Sequence, residues 1–181
     1  MKIMAISGSL RAASHNTALL CAAARLAPAR ISVELYRDLG KLPPFNPDLE
    51  ADDPPAVASL REKLIAADAV LIASPEYAHG VSGVLKNALD WMVSSEAFVH
   101  KPVALLNTSP RAVHAQASLK ETLTVMSARV IEEASITLPI LGSGLDEEAI
   151  IVAPDISDAL TASLRALHDA VLMAQASNSS L

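Results

Sequence analysis

The string Gly8-Ser9-Leu10-Arg11-Ala12-Ala13-Ser14-His15-Asn16-Thr17 directly follows the apolar run Ile3 to Ser7 and leads into an apolar periodic segment. An anion such as a phosphate needs several donors converging from one side, which main-chain amides at a helix start supply together with short hydroxyl and amide side chains. Ser9, Ser14, Asn16 and Thr17 meet that need, with Leu10 inside the same turn. Arg11 adds a planar cation able to make two hydrogen bonds to one anion. An isolated Ser-x-Asn is more simply a helix cap. The string lacks the Gly-Lys-Ser/Thr ending of a nucleotide P-loop, and it does not read Gly-x-Gly-x-x-Gly.

A second string, Ser74-Pro75-Glu76-Tyr77-Ala78-His79-Gly80-Val81-Ser82-Gly83, follows another apolar run. Pro75 fixes one backbone torsion, while Gly80 and Gly83 permit conformations closed to other residues. The combination suits a rigid loop whose main chain approaches a flat ligand, with Tyr77 or Pro75 stacking on an aromatic ring. It equally suits an ordinary Gly/Pro turn.

Both strings take their meaning from the elements that carry them. Ile3 to Ser7, Ala69 to Ser74 and Val103 to Leu106 are continuous apolar runs, as expected of strands buried on both faces of a parallel sheet. Ile31 to Leu35 and Ser135 to Leu138 alternate, as edge strands do. Helical stripes lie between them: Leu19, Ala22, Ala23 and Leu26; Val57, Leu60 and Leu64; Leu85, Ala88, Leu89 and Met92; Leu119, Leu123 and Met126; Leu160, Leu164, Leu167 and Val171. Strand and helix alternate throughout, which predicts an α/β three-layer sandwich with a five-stranded parallel sheet in the order 2-1-3-4-5. The switch point then falls between strands one and three, where open sheets place ligands, and this favours phosphate binding over simple capping for Ser9 to Thr17.

The whole chain, residues 1–181, reads as one domain: no repeat, charge block or linker divides it. The proline-rich stretch Leu39 to Pro55 is expected to be a stiff surface excursion into the second helix, and Gln175 to Leu181 a frayed tail. A formal net charge of -6 without a basic stripe argues against a nucleic-acid partner. Cys21 is the only cysteine, which excludes an intrachain disulfide and a multi-cysteine metal cage. The five histidines are scattered without metal-ligand spacing, so no metal site is expected. No Gly-x-Ser-x-Gly elbow suggests a hydrolase. Asp146, Glu147 and Glu148 read as the solvated start of a turn or helix, and Trp91 as a packing residue. Met1 to Ile6 reaches Gly8 too soon for a signal sequence, and no apolar run has membrane-spanning length, so the expected location is the cytoplasm.

Taken together, Gly8-Ser9-Leu10-Arg11 with Ser14 and Asn16, Phe45-Asn46-Pro47-Asp48-Leu49-Glu50, and Ser74-Pro75-Glu76-Tyr77 followed by Leu85-Lys86-Asn87-Ala88-Leu89-Asp90-Trp91 resemble the NADPH-dependent FMN reductase family, which includes soluble quinone, chromate and azo-dye reductases. The resemblance implies a flavodoxin-like fold and one FMN per subunit. It also implies NADPH or NADH as electron donor, a small-molecule electron acceptor, and a homodimer or homotetramer. Carried over by position, Ser9 to Thr17 would hold the FMN phosphate. Pro75, Glu76, Tyr77 and His79 would line the isoalloxazine, with hydrogen bonds from the main chain between Tyr77 and Gly80. Ser109, after the fourth strand, would complete the site, and the end of helix three at Asp90-Trp91 would be structural or lie at a subunit contact. No side chain is required as an acid or base, so no catalytic residue is assigned.

Two positions depart from the family pattern. Ala78 stands where many relatives have Asn, which leaves only a backbone amide there. The segment Thr108-Ser109-Pro110-Arg111-Ala112-Val113-His114 is shorter than the Gly-Gly loop of many relatives and lacks glycine. Arg111 within it reads in three ways: a replacement for lost backbone donors, an attractor for NADPH phosphate, or a solvated loop arginine. The rival to a reductase is a non-enzymatic FMN-binding electron-transfer or redox-sensing protein. An α/β module that has lost its flavin is a third reading.

Overall fold

A computed structural model describes residues 1–178, with side chains described through residue 176. The strands are β1 (Lys2–Ser7), β2 (Ser32–Tyr36), β3 (Ala69–Ala73), β4 (Glu76–Tyr77), β5 (Gly80–Val81), β6 (Pro102–Asn107), β7 (Arg129–Val130) and β8 (Ile136–Thr137). The helices are α1 (His15–Leu26), α2 (Pro55–Ala66), α3 (Gly83–Met92), α4 (Val113–Val125), α5 (Glu147–Val152) and α6 (Pro154–Asn178).

The main sheet runs β2-β1-β3-β6-β7, all parallel, with β8 also on β6. This is the flavodoxin-like order 2-1-3-4-5 with its fifth position divided. β7 pairs with the start of β6 at Val103↔Val130, and β8 pairs with its end at Leu106↔Ile136. Between them Glu132–Ala134 makes a 3-10 turn, and the Ser135 hydroxyl accepts from the Leu105 N–H at 3.0 Å, standing in for the missing ladder carbonyl. Alternation at Ser135 to Leu138 thus marks only the second half of the fifth strand. The first half, Arg129–Val130, is two residues long and too short to show a period.

Successive strand residues point to opposite faces, and the two cores separate accordingly. Met4, Ile6, Val70, Ile72, Val103 and Leu105 face α2, α3 and α4, while Ile3, Ala5, Leu71, Ala104 and Leu106 face α1, α5 and α6. The predicted stripes on α3 and α6 are buried throughout. The acidic cluster opens α5: Asp146 is its N-cap, with Oδ1 accepting from Ala149 N–H at 2.9 Å, and Glu147 and Glu148 pair with Arg25 of α1. Burial, then the Glu147 charge, push the Cys21 thiol on α1 upward.

The proline-rich excursion is anchored rather than loose. The Pro43 carbonyl accepts from Asn87 Nδ2 at 3.0 Å and from Trp91 Nε1 at 2.8 Å, and the Phe45 N–H donates to Asn87 Oδ1 at 2.7 Å. Phe45 packs edge-on against Trp91, which is buried, so the Leu85 to Trp91 string serves to hold this loop. At the other end of the chain α6 continues through Asn178, so the expected fraying does not begin at Gln175, and residues 179–181 of that tail lie outside the described residues.

Candidate functional site

β1 and β3 lie side by side at the switch point, and their carboxyl ends release the two strings singled out in the sequence. Gly8 N–H donates to the Ala73 carbonyl at 2.8 Å, which keeps the two exits together. A Cβ at Gly8 would stand 2.7 Å from Ser74 Cβ and 2.9 Å from Ser82 Oγ, with Ser74 Oγ closer still. Only glycine lets the two loops touch.

The first loop ends in a capped helix. Ser14, buried, is the N-cap of α1, and its Oγ accepts from Thr17 N–H at 3.3 Å. Capping and anion binding are compatible here, because the amides of His15 and Asn16 open the helix and have no intrahelical acceptor. Thr17 turns inward, its Oγ1 2.8 Å from Ser7 Oγ, and so fastens α1 to the end of β1. Asn16 Oδ1 accepts from Thr108 Oγ1 at 3.3 Å, which ties the loop after β6 to the same helix start.

The second loop is a two-residue hairpin, β4 with β5, paired as Glu76↔Val81 and Tyr77↔Gly80. Its turn places Ala78 at φ 49° and His79 at φ 62°. Tight hairpins of this kind want positive φ at both turn positions, a conformation costing non-glycine residues roughly 1–2 kcal/mol each. The expectation that Gly80 and Gly83 would supply the unusual torsions is therefore corrected: neither has positive φ, and the left-handed pair is Ala78 and His79. Two contacts with α4 hold the strained turn. Glu76 Oε2 accepts from the Ala115 N–H at 2.8 Å, and the His79 and His114 rings stack with centroids 4.2 Å apart at 24°.

Between these loops and the segment after β6 lies a cleft of about 390 Å³. Of the residues read from the sequence, Ser9, Arg11, Ser14, Asn16, Pro75, Glu76, Tyr77 and Ser109 line it. Leu10, Thr17, Ala78, His79 and Gly80 are not in its wall. Leu10 is 60% exposed and covers Gly40, Thr17 is the inward anchor, and Ala78 and His79 form the back of the hairpin turn. The wall also includes Arg111, for which the sequence left three readings open, and Asn107, Thr108 and Leu141, which the sequence did not mark as site residues. Asn107 ends a central strand and Thr108 follows it, and both answer to the same rule that found Ser9. Leu141 arrives from the segment after β8, and nothing local to it signals a site.

The donor set fits a phosphomonoester at one end of the cleft and a flat ring at the other. Open helix-start amides, Ser9 and the Arg11 guanidinium stand at the α1 end, and Arg11 has no carboxylate within ion-pair distance among the described residues. Pro75, Glu76 and Tyr77 give the other end a wall stiffened by the hairpin. Among the described residues there is no group of three or more His, Cys, Asp or Glu side chains placed to hold a metal ion, and no helix long and apolar enough to cross a membrane.

Known proteins are similar to this chain in sequence and in fold. An NAD(P)H-dependent FMN reductase of Pseudomonas aeruginosa is 35% identical over 174 residues, covering 93% of this chain and 94% of that protein. A 2-hydroxy-1,4-benzoquinone reductase of a Burkholderia species is 32% identical over 161 residues, covering 86% of this chain and 87% of that protein. Among solved structures, the flavoenzyme NAD(P)H:(acceptor) oxidoreductase FerB of Paracoccus denitrificans superposes with a TM-score of 0.74 at 30% identity, over 93% of this chain and 97% of that one. The family described as NADPH-dependent FMN reductase matches residues 1–140, a span that contains β1, β3 and β6 and every loop they send into the cleft; the chain belongs to that family.

Proposed function

We propose that residues 1–181 act as one flavodoxin-like unit that binds FMN in this cleft and passes reducing equivalents from NADPH or NADH to a small acceptor, such as a quinone, a free flavin, an azo compound or chromate. The observation that carries this reading is the meeting of three loops, from β1, β3 and β6, in one cleft at the switch point. We place the protein in the cytoplasm, as a homodimer or homotetramer.

In this reading the amides of His15 and Asn16, the hydroxyls of Ser9 and Ser14 and the guanidinium of Arg11 hold the phosphate. Ser14 Oγ accepts from the helix while its own hydrogen remains for the anion. Pro75, Glu76 and Tyr77 border the ring, and the contacts of Glu76 and His79 with α4 keep that border rigid. FMN held there would supply two-electron redox chemistry between a nicotinamide donor and the acceptor. The protein's own part is to fix the ring and leave one face open for the nucleotide and acceptor in turn.

The test is anaerobic mixing of the FMN-loaded protein with NADPH, and separately with NADH. Rapid bleaching of the flavin band without any partner protein, reversed by a quinone, is the expected result, and it excludes a pure electron carrier. FMN that binds but stays oxidised with both nucleotides ends the reductase reading.

A further inference from the structure

Three of the main-chain donors in the loop from Asn107 to Ala112 are spent within the loop itself. Ser109 N–H goes to Asn107 Oδ1 at 3.0 Å, Arg111 N–H to Ser109 Oγ at 3.3 Å, and Ala112 N–H to the Ser109 carbonyl at 3.1 Å, while Pro110 has none. Beyond Thr108, what this loop can donate to a ligand comes from side chains: the Ser109 hydroxyl, whose oxygen accepts from Arg111 N–H, and the Arg111 guanidinium, its only charged donor. The Thr108 hydroxyl already donates to Asn16.

Arg111 lines the cleft, is exposed, and has no carboxylate within ion-pair distance among the described residues. Glu76, the one carboxylate in the wall, is engaged by Ala115 N–H. The loop runs from Thr108, beside Asn16, to the α4 turn that meets Glu76, so Arg111 lies on the stretch approaching the hairpin. With Arg11 at the α1 end, the cleft holds two guanidiniums where FMN brings a single phosphate.

We propose that Arg111 is the donor this loop presents to the flavin ring, and that its charge favours the reduced ring over the oxidised one. The inference rests on the reading that FMN occupies the cleft. A hydride carries two electrons and one proton, so its transfer from the nicotinamide takes the neutral ring to a singly negative one. That charge resides on the nitrogen and carbonyl oxygen of the pyrimidine edge. A guanidinium presents two parallel N–H donors to such a pair of neighbouring acceptors, as it does to a carboxylate. A fixed positive charge there binds the reduced ring more strongly than the oxidised ring and raises the potential.

The test uses FMN-loaded wild type with R111A, R111Q and R111K, following the midpoint potential by dye equilibration and the affinity for sulfite. Sulfite adds through sulfur to the ring's N5, with no electron acceptor needed, and leaves the same negative charge on the pyrimidine edge. The expected result for R111A and R111Q is at least a tenfold weaker sulfite affinity. Their potential should fall by about 30 mV or more, the equivalent of a tenfold loss for a two-electron couple. R111K, which keeps the charge, should retain most of both. Unmoved potential and sulfite affinity in R111Q overturn the proposal, including the case in which R111Q loses NADP⁺ affinity and retains NAD⁺ affinity, which would assign Arg111 to the nucleotide phosphate. A wild type that takes up no FMN ends the reductase reading and this inference with it. A wild type that loads normally beside unmoved variants ends this inference alone.

Discussion

Gly8 and Arg11 make opposite demands on the first loop, one for the absence of a side chain and the other for a long charged one. At Gly8 a methyl group would collide with Ser74 and Ser82, both buried. Gly8→Ala is expected to cost about 1–3 kcal/mol, the usual range for overpacking. For a chain of this size that lowers the melting temperature by roughly 2–12 °C, at about 2–4 °C per kcal/mol, as a thermal melt would show. Arg11 is exposed and supports no packing, so Arg11→Ala should leave the melt of the FMN-free protein unchanged. Its effect belongs to binding: loss of a charge-assisted bond to phosphate is worth about 1.5–3 kcal/mol, a roughly ten- to hundredfold higher FMN dissociation constant by fluorescence quenching. An unchanged constant removes Arg11 from the site.

At the scale of elements, the β4–β5 hairpin stores strain and α3 stores polar contacts. Ala78 occupies a left-handed position for which alanine is poorly suited. Ala78→Gly is therefore expected to stabilise the protein by roughly 0.5–1 kcal/mol, read from urea unfolding, because relief of the Cβ clash outweighs the added chain entropy. Asn87 works in the other direction. Its amide joins both the Pro43 carbonyl and the Phe45 N–H, and only the former keeps a second partner, Trp91. Asn87→Ala leaves the Phe45 N–H half-buried and unpaired, an expected loss of about 1–3 kcal/mol in the same urea measurement. FMN affinity should change little, since this loop is outside the cleft wall.

For the whole molecule, cofactor and pH shift the folding equilibrium by linkage. FMN at a hundred times its dissociation constant should add about 2.7 kcal/mol, hence a rise of roughly 5–11 °C in the melting temperature. Riboflavin, which lacks the phosphate, should give much less at the same concentration. Acid acts through carboxylates: Asp38 and Asp53 lie below the usual range because Lys41 and Arg61 hydrogen-bond them. A carboxyl with a lower folded pKa binds fewer protons in the native than in the unfolded chain. The stability it lends is complete above about pH 4, the unfolded value, and is lost as pH falls through the lower folded value. Melts between pH 6 and pH 3 should show that loss, and a D38N/D53N double variant should show a shallower one.

The sequence by itself determined the alternation of buried runs and helical stripes, hence the parallel order and the switch point, because period and burial are local properties of the chain. It also marked Ser9, Arg11, Ser14 and Asn16, since donors at the exit of a central strand are legible in one dimension. Only the tertiary structure decided that Thr17 turns toward Ser7, that Glu76 fastens the hairpin to α4, and that Leu141 joins the cleft wall. Tertiary structure likewise divided the fifth strand and moved the positive torsions from the glycines to Ala78 and His79. The physical reason is common to these cases. Each depends on which distant group accepts a hydrogen bond or fills a contact, and the residue types alone leave several partners equally suitable until the layers have closed.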